Sequence, residues 1–180
     1  MSHKEVYLRA PSDWRVAARM MSRMQGNPEF MRQAIALATE NVTSGSGGPF
    51  GAVIVRNGMV VATGVNQVTA TIDPTAHAEV VAIRKACAVL GRFSLEGCQM
   101  YTSCEPCPMC LAAIYWSRMD EIFYGNTAAD AAAAGFDDAF LYEEIKKPVG
   151  GRTIPAERML SDEAQENFAA WRRFAARVHY

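Results

Sequence analysis

The sequence predicts an α/β protein, a three-layer α/β/α sandwich on a roughly five-stranded mixed sheet. Two β-branched apolar runs, residues 50–56 and 59–65, are split by Asn57-Gly58, the turn pair that joins antiparallel strands. Beyond them, short apolar runs alternate with helix-period segments, as they do where a sheet is covered on both faces. The chain has 180 residues, half of them hydrophobic and 21% charged, which suits one domain with a single sizeable core.

The elements follow in order. Residues 1–26 read as an N-terminal extension, with Lys4, Arg9, Arg15, Arg19 and Arg23 against Glu5 and Asp13. Ser12 can cap a short helix there, with Trp14, Ala17, Ala18 and Met21 on one face. A docking or targeting arm and a loosely ordered terminus are both open readings, and Met24 could be a second start. Residues 27–180 form the domain. Asn27-Pro28 opens a helix that carries Phe30, Ala34, Leu37 and Ala38 to about Val42. Residues 44–48 (Ser-Gly-Ser-Gly-Gly) break the chain without a phosphate-loop lysine. The hairpin comes next, then a polar connection containing Asn66.

Asp73-Pro74 starts a second helix, with Val80, Ile83, Cys87 and Leu90 as its expected inner face. Residues 98–102 read as a strand, 107–117 as a third helix and 121–125 as another strand. An alanine-rich helix at 128–134 ends at Gly135. Residues 136–151 read as loop and turn, and 153–157 as a weak, proline-bearing edge strand. Ser161-Asp162-Glu163 caps a last helix with Phe168, Trp171, Phe174 and Val178 on one face.

A net charge of −1 supplies no general field for nucleic acid or an anionic membrane, although a local patch would suffice for either. No apolar run approaches the roughly 20 residues that span a bilayer, and the N-terminus lacks a secretory core. Three of the five cysteines, Cys104, Cys107 and Cys110, lie at three-residue spacing. That is metal spacing in a reducing compartment rather than a disulfide framework. A cytoplasmic protein is expected.

The chemistry concentrates between Asp73 and Cys110. His77 and Glu79 read H-x-E, and Pro106, Cys107 and Cys110 read P-C-x-x-C. One imidazole and two thiolates are three zinc ligands, which leaves one tetrahedral position open for catalysis. His3 and His179 lie near the ends, so His77 is the internal imidazole. A closed four-ligand site with Cys104 is the structural alternative, but it leaves Glu79 without a purpose. Glu79 is placed to move protons between a zinc-activated water and an amine-bearing ring. This motif pair is the recognised signature of zinc deaminases of nucleobases.

At these residues the chain resembles the cytidine deaminase-like superfamily, and within it the bacterial guanine deaminases. The resemblance runs from about Phe30 to Tyr180. It is carried by Gly47-Gly48-Pro49-Phe50-Gly51, by Asp73-Pro74-Thr75-Ala76-His77-Ala78-Glu79, and by Ser103-Cys104-Glu105-Pro106-Cys107-Pro108-Met109-Cys110. Ile114-Tyr115-Trp116, Ala134-Gly135-Phe136-Asp137-Asp138 and the terminal tyrosine add to it. It implies a Zn2+ cofactor and hydrolysis of guanine to xanthine and ammonia in purine salvage or catabolism.

The resemblance also implies that Asn66 hydrogen-bonds the purine, and that Asp138 contacts the base or shuttles protons. Phe50, Ala78, Trp116 and Phe136 would complete the pocket. Tyr180 would close it, in this family from a domain-swapped partner subunit, so a homodimer is implied. The residues themselves leave plainer roles open. Asn66 can be a turn residue, Asp137 and Asp138 can cap a segment, and Phe50 and Trp116 can be core. Cys87 and Cys98 read as inert buried thiols. A tRNA adenosine deaminase, with Arg172, Arg173 and Arg177 as its basic helix, is the nearest rival. Deamination of a triazine or another aminopurine, and a non-enzymatic zinc module, are further alternatives.

Overall fold

The computed structural model describes residues 25–179. Most of the N-terminal extension, with its expected short helix, lies outside the described residues, and so does Tyr180. Helix α1 (Pro28–Thr43) starts as expected: Asn27 Oδ1 accepts from the Glu29 amide at 2.9 Å, with proline in the first turn. Strands β1 (Gly51–Arg56) and β2 (Met59–Val65) pair antiparallel. Asn57 and Gly58 both take positive φ, 52° and 73°, which a two-residue turn matched to strand twist requires.

A short helix, α2 (Val68–Thr71), then leads to α3 (Ala78–Leu90), β3 (Cys98–Cys104), α4 (Pro108–Trp116) and β4 (Glu121–Asn126). The strand order is β2-β1-β3-β4, with β3 and β4 parallel and joined by the α4 crossover. Helix α1 covers one face of the sheet around Val53, Val55 and Tyr101. Helix α3 covers the other, around Ile54, Met100 and Leu95, with Ile114 of α4 in the same cluster. The three-layer α/β/α arrangement is as expected.

Four differences have physical causes. Among the described residues the sheet has four strands, not five, because residues 153–157 pair with nothing. Pro155 has no amide to donate there, and the segment belongs to an arm that leaves the sheet. Helix α3 begins at Ala78 rather than near Asp73. Asp73 Oδ1 accepts from the amide and the hydroxyl of Thr75, holding residues 73–75 in a side-chain-capped turn.

The buried stripe of α3 is Ala78, Ala82 and Ala86, and the expected Ile83, Cys87 and Leu90 lie on its flank. Close approach explains the small residues: a Cβ on Gly64 of β2 would stand 2.1 Å from the Ala78 carbonyl oxygen. Lastly, residues 136–151 contain a helix, α6 (Asp138–Lys146), after α5 (Ala128–Ala133). A single 3-10 turn at Val149–Gly151 follows, and α7 (Gln165–Arg173) carries the expected Phe168 and Trp171 but starts after Ala164 without the Ser161 cap and ends before Phe174 and Val178.

Candidate metal centre and active site

Two helices deliver the chemistry by their N-terminal ends. His77 is the N-cap of α3 and Cys107 the N-cap of α4, so each lies one residue before its helix rather than inside it as expected. Pro108 at the first helical position fixes that start. Cys110 lies in the first turn, three residues on, so both sulfurs face one point. His77 Nδ1 lies 3.6 Å from Cys107 Sγ and 3.6 Å from Cys110 Sγ. A tetrahedral ion with ordinary Zn–S and Zn–N bonds sets its nitrogen and sulfur ligands about 3.6 Å apart. All three donor atoms lie within 4.8 Å of one another. The donor set fits zinc in both chemistry and spacing.

Protonation of the site agrees. A hydrogen bond from Cys110, aided by the His77 ring, holds the Cys107 thiol down to about 4. The same Cys107 bond, with burial, pushes Cys110 up. His77 is raised, first by its bond to the Cys107 sulfur. The pair thus favours one thiolate beside one thiol, and a divalent cation would displace the remaining proton.

Cys104 stands apart from this cluster. Burial, then the charges of Asp138 and Glu79, push its thiol up to about 11, and its sulfur lies 3.6 Å from the Thr127 carbonyl oxygen. Its sulfur is not part of the cluster of ligand atoms formed by His77, Cys107 and Cys110, so the fourth-ligand alternative loses its candidate. Cys87 and Cys98 are likewise raised, mainly by burial.

Glu79 sits two residues into α3 with only 4% of its surface exposed. Its Oε1 accepts from Thr102 Oγ1 at 3.1 Å, and its Oε2 lies 3.4 Å from Cys110 Sγ. Burial is the main cause that raises its carboxyl above the usual range. A carboxyl held beside the metal ligands, and easier to protonate than usual, is suited to carry protons.

The purine-side candidates divide. Asn66 is buried at the end of β2, its Oδ1 accepting from the Val68 amide at 3.3 Å. Its carbonyl accepts from the Asn41 side chain at 2.9 Å, and its own Nδ2 has no protein partner among the described residues. Phe50 meets Phe136 edge to face, 4.8 Å between centroids at 78°. Asp138 begins α6, its carboxyl raised by burial and then by Cys107, with His77 pulling the other way. Ala78 is fully buried, and the first-turn amides of α3 have no intrahelical acceptors.

Trp116 is not brought to this group within the chain. It ends α4, about 13.5 Å along the axis from Cys107, and is 61% exposed, with Arg118 over its ring at 5.7 Å. A groove of about 560 Å³ lined by Met31, Tyr101 and Phe123 lies on the α1 face, away from the metal ligands.

Sequence reasoning missed Thr102, Asn41 and Tyr142. Thr102 and Asn41 hold site residues 23 and 25 positions away in the chain, so no local pattern marks them. Tyr142 Oη donates to the Pro106 carbonyl at 2.7 Å, across 36 positions.

A fold that aims two helix N-termini and a His-Cys-Cys set at one point, with a buried glutamate beside them, defines a zinc-type hydrolytic centre. The family described as the cytidine and deoxycytidylate deaminase zinc-binding region matches residues 24–126, and this chain belongs to that family. It is 56% identical over 151 residues to the guanine deaminase of Bacillus subtilis (strain 168), covering 84% of this chain and 97% of that protein. To a tRNA-specific adenosine deaminase of Aquifex aeolicus (strain VF5) it is 36% identical, over 78% of this chain and 90% of the other. The X-ray structure of guanine deaminase from Bacillus subtilis superposes with a TM-score of 0.84 at 54% identity, covering 87% and 99% of the two chains.

Proposed function

We propose that this protein is a zinc-dependent guanine deaminase, converting guanine and water to xanthine and ammonia. The observation that carries the reading is the joining of two groups around one point. The His77, Cys107 and Cys110 cluster with Glu79 lies on one side, and Phe136 and Asp138 come from α6 and the turn before it. The length and identity of the match to the Bacillus subtilis enzyme support guanine as the base.

His77, Cys107 and Cys110 would hold the zinc, which when bound supplies Lewis-acid activation of a water molecule. Glu79 accepts a proton from the water and passes it to the ring nitrogen next to the amine-bearing carbon. The water oxygen bonds to that carbon; Glu79 then takes the second proton from the added hydroxyl and gives it to the amine, and the carbon–nitrogen bond breaks to leave a carbonyl and release ammonia. Thr102 keeps the Glu79 carboxyl turned toward the ligands. Asn66 can donate its Nδ2 protons to a ring acceptor, and ionised Asp138 can accept from a ring N–H or amine. Phe50 and Phe136 offer flat apolar surface to the purine.

The C-terminal segment completes the site as an exchanged arm in a homodimer, with Tyr180 closing the pocket. The exposure of Phe168, Phe174 and Val178 in the single chain supports this. Residues 27–180 act as one deaminase domain in the cytoplasm, where thiolate ligands stay reduced.

The test is ammonia release from zinc-loaded protein given guanine, adenine, cytosine, guanosine or tRNA. Turnover of guanine is expected. Activity on tRNA or cytosine with none on guanine would overturn the reading in favour of the adenosine deaminase branch.

A further inference from the structure

Helix α6 brings Asp138 to the metal end of the molecule, yet it is joined to the body by very little. Phe140, Leu141 and Ile145 on it are exposed. Lys146 bonds Glu143 on the same helix, and Glu144 bonds the amide of Thr153 farther along the arm. Among the described residues, one hydrogen bond links α6 to the body: Tyr142 Oη donates to the Pro106 carbonyl at 2.7 Å. That carbonyl immediately precedes Cys107, the first sulfur ligand.

Tyr142 lies one helical turn beyond Asp138, so the two side chains share a face. The phenol is half-buried, and burial followed by the charges of Glu105 and Cys107 raises its pKa. The hydroxyl therefore keeps the proton it donates. We propose that Tyr142 is a positioning residue, whose bond to the Pro106 carbonyl latches α6 to the metal-binding loop and so holds Asp138 against the substrate. This rests on the proposed role of Asp138 in guanine turnover. The ring packs α6 against the loop, while the hydroxyl sets its register.

The test compares full-length, zinc-loaded Tyr142→Phe with the unaltered protein. Zinc per chain should be unchanged, and kcat/KM for guanine should fall about three- to tenfold, the scale of one lost hydrogen bond. Amide exchange over residues 138–146 should quicken, a readout that needs no substrate. In an Asp138→Asn background the same substitution should change kcat/KM by less than about twofold, because its route to the reaction is already gone. Unchanged exchange in α6 would overturn the latch, whatever base the enzyme turns over. A loss of full size in the Asp138→Asn background would overturn the route through Asp138. Failure of the unaltered protein to deaminate guanine would instead sink the functional reading, leaving the exchange result to judge the latch alone.

Discussion

Ile54, Met100 and Leu95 in the body have no exposed surface, whereas Phe140, Ile145, Ile154, Phe168 and Phe174 in the arm, from α5 onward, each expose at least 51%. The body, from α1 to β4, has both faces of its sheet covered and two core clusters of its own. The arm is locally well formed, with a Thr127–Asp130 capping box opening α5 and side-chain bonds along α6. It buries almost none of its large apolar residues. Secondary structure and burial are therefore separable here. Local signals suffice to form the arm's helices, while an apolar surface of that extent supports the proposal that a second copy of the chain covers it. The body holds the His77, Cys107 and Cys110 cluster and Glu79, the proposed zinc ligands and proton carrier, and the arm holds the candidates that would choose the base.

That division can be broken most sharply at the metal. Cys107→Ser should leave less than one zinc per chain by elemental analysis and lower guanine turnover about 10⁴-fold or more. Retained turnover without metal would remove the body from the chemistry. Glu79→Gln should keep its zinc and lose roughly 10²–10⁴ in kcat. If both zinc and kcat persisted, the proton-carrying role would be wrong.

Ending the chain after Gly151 tests the arm. The body should still bind zinc and melt cooperatively, but sedimentation should show monomers and turnover should drop roughly 10²-fold through lost positioning. A truncated protein that stayed dimeric would show that the exposed arm residues are not the interface. Gly64→Ala tests the body's packing alone. Its Cβ would meet the Ala78 carbonyl at 2.1 Å, so denaturant unfolding should report a loss of about 1–3 kcal/mol. Thr102→Val should have the smallest effect, about three- to tenfold in kcat with KM little changed, since it removes one bond to Glu79.

Much of the body was legible before any coordinates. Asn57-Gly58, the Asn27-Pro28 cap and the alternation of apolar runs are local signals, and local energetics decides turns and helix starts. The candidate metal cluster was legible for the same reason: Cys107 and Cys110 are near neighbours, and His77 is the internal histidine. Residues 136–151 misled because α6 carries its apolar residues without an inner face in a single chain. The fifth strand misled because Pro155 lies in a β-like run whose would-be partner strand it never reaches.

The sequence alone pointed to the proposed reaction centre, a three-ligand cluster with a carboxyl beside it. Those groups belong to two short motifs whose spacing is a property of helix geometry. Only the tertiary structure decided that Thr102 aims Glu79, that Asn41 anchors Asn66, that Cys104 turns to the Thr127 carbonyl and that Tyr142 grips Pro106. Each of these is a meeting of groups 23 or more positions apart, and such meetings depend on how the sheet and its two covering layers fold together.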